Sequence, residues 1–197
     1  MAGGAATRFG GRPKGLERVG GERILDRVAL ALTDALGTPP LLIANDPEAA
    51  GWRPDLPLVS DVRPGQGSLG GLYTAVVEGP APVVCVGWDM PFVSAPLLRA
   101  LADGLAGHDA LLPWSPRRHG VEPMCAAYGP RCREAIAACL EAGDLRAVAF
   151  HASISVGILP LSELRRFGDP DCLFFNVNTA DDLARADGLW RRLESSR

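Results

Sequence analysis

The sequence predicts a single α/β domain built on a largely parallel sheet, with a small antiparallel insertion around residues 109–128. Three observations lead there. Short apolar runs alternate with segments of helical periodicity through the whole chain, as strand–helix crossovers require. Two of those runs, 57–61 and 82–89, end in an aspartate, Asp61 and Asp89, where an open parallel sheet collects its ligands. Two glycine-rich loops, 1–14 and 63–71, stand where helix N-termini and strand ends meet.

Taken in order, Ile24, Leu25, Val28, Leu32 and Leu36 recur at helical spacing, and Gly37 with Pro39 and Pro40 stops that helix. Residues 41–45 form an apolar run after prolines, a buried strand, and 57–61 form the next. A helix through Leu72, Ala75 and Val76 closes at Gly79 and Pro80. Residues 82–88 are apolar on both faces and predict a central strand. A helix over 95–106 carries Pro96 in its first turn, and strands at 109–114 and 124–128 flank a polar turn. Pro130 opens a helix through Ile136 and Leu140, a further helix ends near His151, and 154–159 reads as an edge strand. Thr179 and Asp182 have the spacing of a capping box for the last helix.

Composition bounds the function. A chain of 197 residues, 47% apolar and 22% charged, has enough apolar surface for one full core. A formal charge of −3 provides no global field for nucleic acid, so an anionic ligand must meet local positive charge. No apolar run reaches the roughly 20 residues of a membrane span, and no charged-then-apolar leader stands at the start, so the expectation is a cytoplasmic protein with no membrane partner. Five cysteines without a C-x-x-C pair imply neither a zinc site nor a disulfide framework.

The chemistry concentrates in the first loop. Gly3, Gly4, Gly10 and Gly11 permit positive φ and close approach, and Arg8 and Lys14 bring charge to the same place. Lys14 is the single lysine against nineteen arginines, which points to a need for a compact ammonium there. If the strands ending at Asp61 and Asp89 lie near one another, that loop faces two carboxylates across a crevice, which suits a nucleoside triphosphate with Mg²⁺, with Asp89 the first choice of metal ligand. Each aspartate alone reads more readily as a helix cap or turn former, and it is the combination with the loops that favours the functional reading. The P-loop pattern is absent, and the match of Gly65, Gly67 and Gly70 to a dinucleotide fingerprint follows its strand too late.

Four segments carry a resemblance: Gly3-Gly4 with Arg8, Gly10-Gly11 and Lys14-Gly15-Leu16; then Gly67 to Gly71; then Asp89-Met90-Pro91-Phe92; and Asn176-Val177-Asn178-Thr179 before an acidic helix start. In that order and spacing the chain resembles the molybdenum cofactor guanylyltransferases over nearly its whole length. The resemblance implies a Rossmann-like three-layer fold and transfer of GMP from GTP to molybdopterin, with release of pyrophosphate and a requirement for Mg²⁺. Carried over, it implies that Ala2, Gly3, Gly4, Arg8 and Lys14 hold the triphosphate, that Asp89 binds Mg²⁺, that Asp61, Gly70 and Gly71 border the nucleotide, and that Asn176 and Asn178 lie on the acceptor side. Lys14, Arg8 and Asp89 are the residues expected to carry catalysis, and molybdoenzymes or their chaperones are the expected recipients. His119, beside Arg117 and Arg118, is a candidate contact to an anionic acceptor. A molybdopterin cytidylyltransferase is the sibling alternative, and a non-catalytic nucleotide-binding protein the alternative from another class. In this chain Pro13 stands where the family has an acid, and only Met1 precedes Ala2, where the family has an apolar strand. The expectation that follows is a true start about five to eight residues upstream, one strand's length.

Overall fold

The computed structural model describes residues 1–2, 13–116 and 120–195. After a turn of 3₁₀ helix at Lys14–Leu16, strands β1 (Arg18–Val19) and β2 (Glu22–Arg23) form an antiparallel hairpin. Gly20 and Gly21 make its turn at φ 59° and 84°, a Gly-Gly signal that identifies such hairpins in sequence. Helix α1 (Ile24–Leu36) ends where Gly37 enters the left-handed region at φ 73° and its amide donates to the Thr33 carbonyl.

Strands β3 (Leu42–Ile43) and β4 (Leu58–Val59) pair in parallel, linked through the short helix α2 (Ala49–Trp52). The larger sheet runs β5 (Val83–Val86), β7 (Cys125–Tyr128), β6 (Ala110–Pro113), β8 (Val156–Leu159). Strand β7 is antiparallel to both β5 and β6, while β6 and β8 are parallel. Strands β5, β6 and β8 therefore share one direction and β7 alone is reversed. The antiparallel element expected over 109–128 is thus one strand, not two, because β6 takes β8 as its parallel neighbour. Between the two sheets lie Met1 and Ala2. The Met1 amine donates to the Val86 carbonyl at 2.9 Å, the Trp88 amide to the Met1 carbonyl at 3.2 Å, and the Ala2 amide to the Ile43 carbonyl at 2.8 Å. That staggered pattern is a parallel ladder, and it stitches β3 to β5. Alongside Met1, an apolar slot of about 170 Å³ separates those strands, lined by Leu42, Val84, Val86, Val28, Leu32 and Ala75 among others.

Alternation along the strands divides the core into two faces. Cys85, Ala110, Leu112, Ala126 and Tyr128 pack toward α3 (Gly67–Glu78) and α5 (Cys132–Glu141). Val86, Leu111, Cys125, Ala127 and Leu159 pack toward α1, α4 (Ala95–Asp103) and α8 (Ala180–Ser195). This is the expected three-layer, Rossmann-like α/β architecture. The helix expected before His151 is a 3₁₀ segment at Ala149–Ser153, and two single-turn helices, α6 (Leu161–Leu164) and α7 (Pro170–Leu173), lead toward α8. The Thr179 hydroxyl accepts the Asp182 amide at 3.1 Å, completing the N-cap of α8 as the spacing required.

A third apolar cluster joins Ala2, Leu25, Leu42, Ala44, Ala49, Trp52 and Trp88. The two tryptophan rings stack at 5.1 Å, and a Cβ on Gly15 would lie 2.3 Å from the Trp88 ring. Only glycine lets the loop carrying Lys14 approach that closely.

Gly15→Ala is therefore expected to destabilise the fold by about 1–3 kcal/mol through overpacking, read as a lower Tm in thermal unfolding. Burial pushes the Cys85 thiol up to about 12, raises Cys125 further, and pushes Cys132 up to about 11. A thiol reagent at about pH 8 should spare these three in the native protein and label all five only after unfolding.

Candidate active site

The ends of β3, β4 and β5, the ladder residues Met1 and Ala2, and the start of β7 all open onto one cavity of about 690 Å³, within the range of small-ligand sites. Lys14 lines it and gathers the polar groups around it. The ammonium donates to Asp89 Oδ2 at 2.5 Å and to Asn178 Oδ1 at 2.9 Å, so three residues from opposite ends of the chain meet at one point. Asp89 lies three residues beyond the end of β5, and its backbone carbonyl accepts the Val177 amide at 2.9 Å, which fixes the 176–178 segment beside it. The Asp182 carboxylate accepts the Asn178 amide at 3.1 Å, so the cap of α8 also positions Asn178. With Lys14 and Asp89 side chains only 20% and 16% exposed, the pair interacts with less solvent screening than a surface bridge.

Asp61 lines the cavity from the end of β4. Its Oδ2 accepts the Asn45 amide group at 2.7 Å, its own N–H donates to Asn45 Oδ1 at 2.8 Å, and Thr74 Oγ1 lies 3.3 Å from its Oδ1. The residue thus joins β3, β4 and α3 while presenting charge to the site. Gly71 lines the cavity together with Gly65, Gly67 and Ser68, and a Cβ there would come within 3.2 Å of the Met1 sulfur. Gly70 does not line it: that residue turns toward the preceding loop, where a Cβ would lie 2.7 Å from Gln66. Helix phase separates the two neighbours, which a run of glycines conceals.

Of the other sequence candidates, Ala2, Asn176 and Asn178 line the cavity. Asn178 stands with Lys14 and Asp89, while the Asn176 side-chain amide donates to the Phe174 carbonyl at 3.3 Å. Gly3, Gly4, Arg8, Gly10 and Gly11, and Arg117, Arg118 and His119, lie outside the described residues. Sequence reasoning missed Asn45, Glu122 and Met124, all of which line the cavity. None belongs to a recognisable spacing; they arrive through strand pairing.

The donor set fits a hard divalent cation. Asp89 supplies a carboxylate and Asn178 an amide oxygen, and among the described residues no group of three or more acidic, His or Cys side chains gathers to complete a protein cage. Among the described residues no helix is long and apolar enough to cross a membrane.

Comparison with known proteins gives the family. Residues 1–154 match the model of the MobA-like NTP transferase domain. A protein of Pelotomaculum thermopropionicum named probable molybdenum cofactor guanylyltransferase is 34% identical over 189 residues, covering 94% of this chain and 89% of its own. The molybdenum cofactor guanylyltransferase of Cereibacter sphaeroides is 32% identical, covering 98% and 95%. Among solved structures, molybdopterin-guanine dinucleotide biosynthesis protein A from Archaeoglobus fulgidus superposes with a TM-score of 0.80 at 26% identity, over 97% of this chain and 96% of that one. With the fold, the cavity and these likenesses in agreement, the chain belongs to the family of MobA-like NTP transferases.

Proposed function

We propose that the protein is a molybdenum cofactor guanylyltransferase, which transfers GMP from GTP to the phosphate of molybdopterin and releases pyrophosphate. The observation that carries this reading is the convergence of Lys14, Asp89 and Asn178 in one cavity, in a chain whose relatives bear that name over nearly their full length. An acceptor phosphate oxygen attacks the α-phosphorus of GTP; the new P–O bond forms as the bond to the bridging α–β oxygen breaks, and the electron pair leaves with pyrophosphate. Catalysis of this kind rests on positioning and on neutralising charge, with no covalent enzyme intermediate.

In this reading Lys14, with Arg8 and the backbone of Ala2, Gly3 and Gly4, holds the triphosphate. Lys14 stabilises the charge that develops on the departing group. Asp61 and Gly71 border the nucleotide from the β4 and α3 side. Asp89 would hold Mg²⁺, which when bound neutralises phosphate charge, and Asn176 and Asn178 face the acceptor side. The protein's own contribution is to keep Lys14 at the reacting phosphate: the ammonium is already anchored on Asp89 before a nucleotide arrives. The product then passes to molybdoenzymes or their chaperones.

Isothermal titration of GTP, CTP and ATP with Mg²⁺ into the wild-type chain tests the reading. Selective binding of GTP, with pyrophosphate release on addition of molybdopterin, is the expected result; selective binding of CTP, or binding without turnover, overturns it. Lys14→Ala should lower kcat/KM by about 100- to 1,000-fold, and Lys14→Arg should recover little of it, because the planar fork cannot occupy the same point between Asp89 and Asn178. Asp89→Asn preserves shape and removes charge; turnover is expected to fall at least about 100-fold and to lose its dependence on divalent cation.

A further inference from the structure

A hydroxyl has one hydrogen to donate, and burying it costs free energy unless it is partnered. Thr74, midway along α3, is 0% exposed on a helix whose positions Leu69, Leu72, Ala75 and Val76 belong to the core. Its Oγ1 accepts the Val62 amide at 3.0 Å. Its hydrogen has two acceptors within reach, the Gly70 carbonyl at 3.0 Å and Asp61 Oδ1 at 3.3 Å. The bond to Gly70 is the local one of a helical threonine to the carbonyl four residues back, made also by Thr33 to Ala29 in α1. The other two are not local: they grip consecutive residues of the segment leaving β4, twelve and thirteen positions away in sequence. A hydrogen bond to a carboxylate is charge-assisted, so Asp61 competes with Gly70 for the one hydrogen despite the longer distance.

Asp61 is held at both of its oxygens. Asn45 donates to Oδ2 at 2.7 Å, and Thr74 stands at Oδ1. A carboxylate has about four acceptor positions, so these two contacts set the plane of the group without filling it. One turn before Thr74, on the same face of α3, lies Gly71, where a Cβ would stand 3.7 Å from that same Oδ1. Gly71 and Asp61 both line the cavity and Thr74 does not. Glycine therefore leaves the approach to Oδ1 open from the cavity, while the buried threonine holds that oxygen from the core side.

We propose that Thr74 is a positioning residue for the nucleotide: its hydroxyl fixes Asp61 so that Oδ1 meets the nucleoside part of GTP over Gly71. This deepens the guanylyl-transfer reading and rests on it for what occupies that side of the cavity. Because the triphosphate is held at Lys14 in that reading, a ligand made of phosphate alone should not sense Thr74.

The test uses Thr74→Val, which keeps the shape and removes the hydroxyl, and Thr74→Ser, which keeps the hydroxyl. Val62 is 46% exposed, so water can serve the amide that loses its acceptor, and the valine chain should fold. Thr74→Cys, with a weaker donor, gives the same comparison in a second chain. Each is titrated with GTP and with inorganic tripolyphosphate in the presence of Mg²⁺, and GMP transfer is followed as kcat and as KM for GTP. Thr74→Val should weaken GTP about tenfold and Thr74→Cys about fivefold, both with a matching rise in KM, a nearly unchanged kcat and tripolyphosphate affinity within about twofold of wild type. Thr74→Ser should stay within about twofold throughout. An equal loss of both ligands, a serine variant as weak as the valine one, or unchanged GTP affinity in the valine and cysteine variants overturns the assignment. Wild type that binds tripolyphosphate but not GTP sinks the transferase reading and the assignment together; wild type that binds and turns over GTP no better than Thr74→Val sinks the assignment alone.

Discussion

The tie between Lys14 and Asp89 is the interaction on which the site depends. It spans 75 residues of sequence, bringing the N-terminal loop onto the end of β5, and Asn178 adds the far end of the chain to the same ammonium. Removing either charge would leave its partner stranded in a poorly solvated position, which costs more than the pair itself contributes. The pair also spares the enzyme a search: the cation that must meet phosphate is oriented by a carboxylate in advance, so little reorganisation accompanies substrate arrival.

The sheet reaches this arrangement through an unusual joint. Among the described residues, Met1 and Ala2 hydrogen-bond to both β3 and β5, and so join β3 and β4 on one side to β5, β7, β6 and β8 on the other. That joint lies at the carboxyl ends of β3 and β5, where the cavity opens. Three hydrogen bonds, the tryptophan cluster and helix α3, which packs with both Ile43 and Cys85, together hold the strand carrying Asp61 to the strand carrying Asp89.

Much of this was legible in the sequence because the signals are local. The strand endings at Asp61 and Asp89, the stop at Gly37 and the Thr179–Asp182 cap each follow from side chains within a few positions of one another. The single lysine was a compositional signal, and it fell in the wall of the cavity. What stayed hidden was non-local. Glu122 belongs to no motif; it enters the site because β7 runs against β5, a direction that periodicity does not encode. Asn45 looks like any loop asparagine until β3 pairs with β4 and sets it against Asp61. Gly70 and Gly71 are indistinguishable as letters, and only the rotation of α3 separates them.

The stack of Trp52 on Trp88 has an optical consequence. Trp88 immediately precedes Asp89, its ring closes against Gly15, and it lines the same cavity as Lys14. A ligand seated against Lys14 changes the electrostatic surroundings of this indole. The chain therefore carries its own fluorophore in the wall of the cavity, and the part of the emission that is lost on replacing Trp88 should report occupancy without a label.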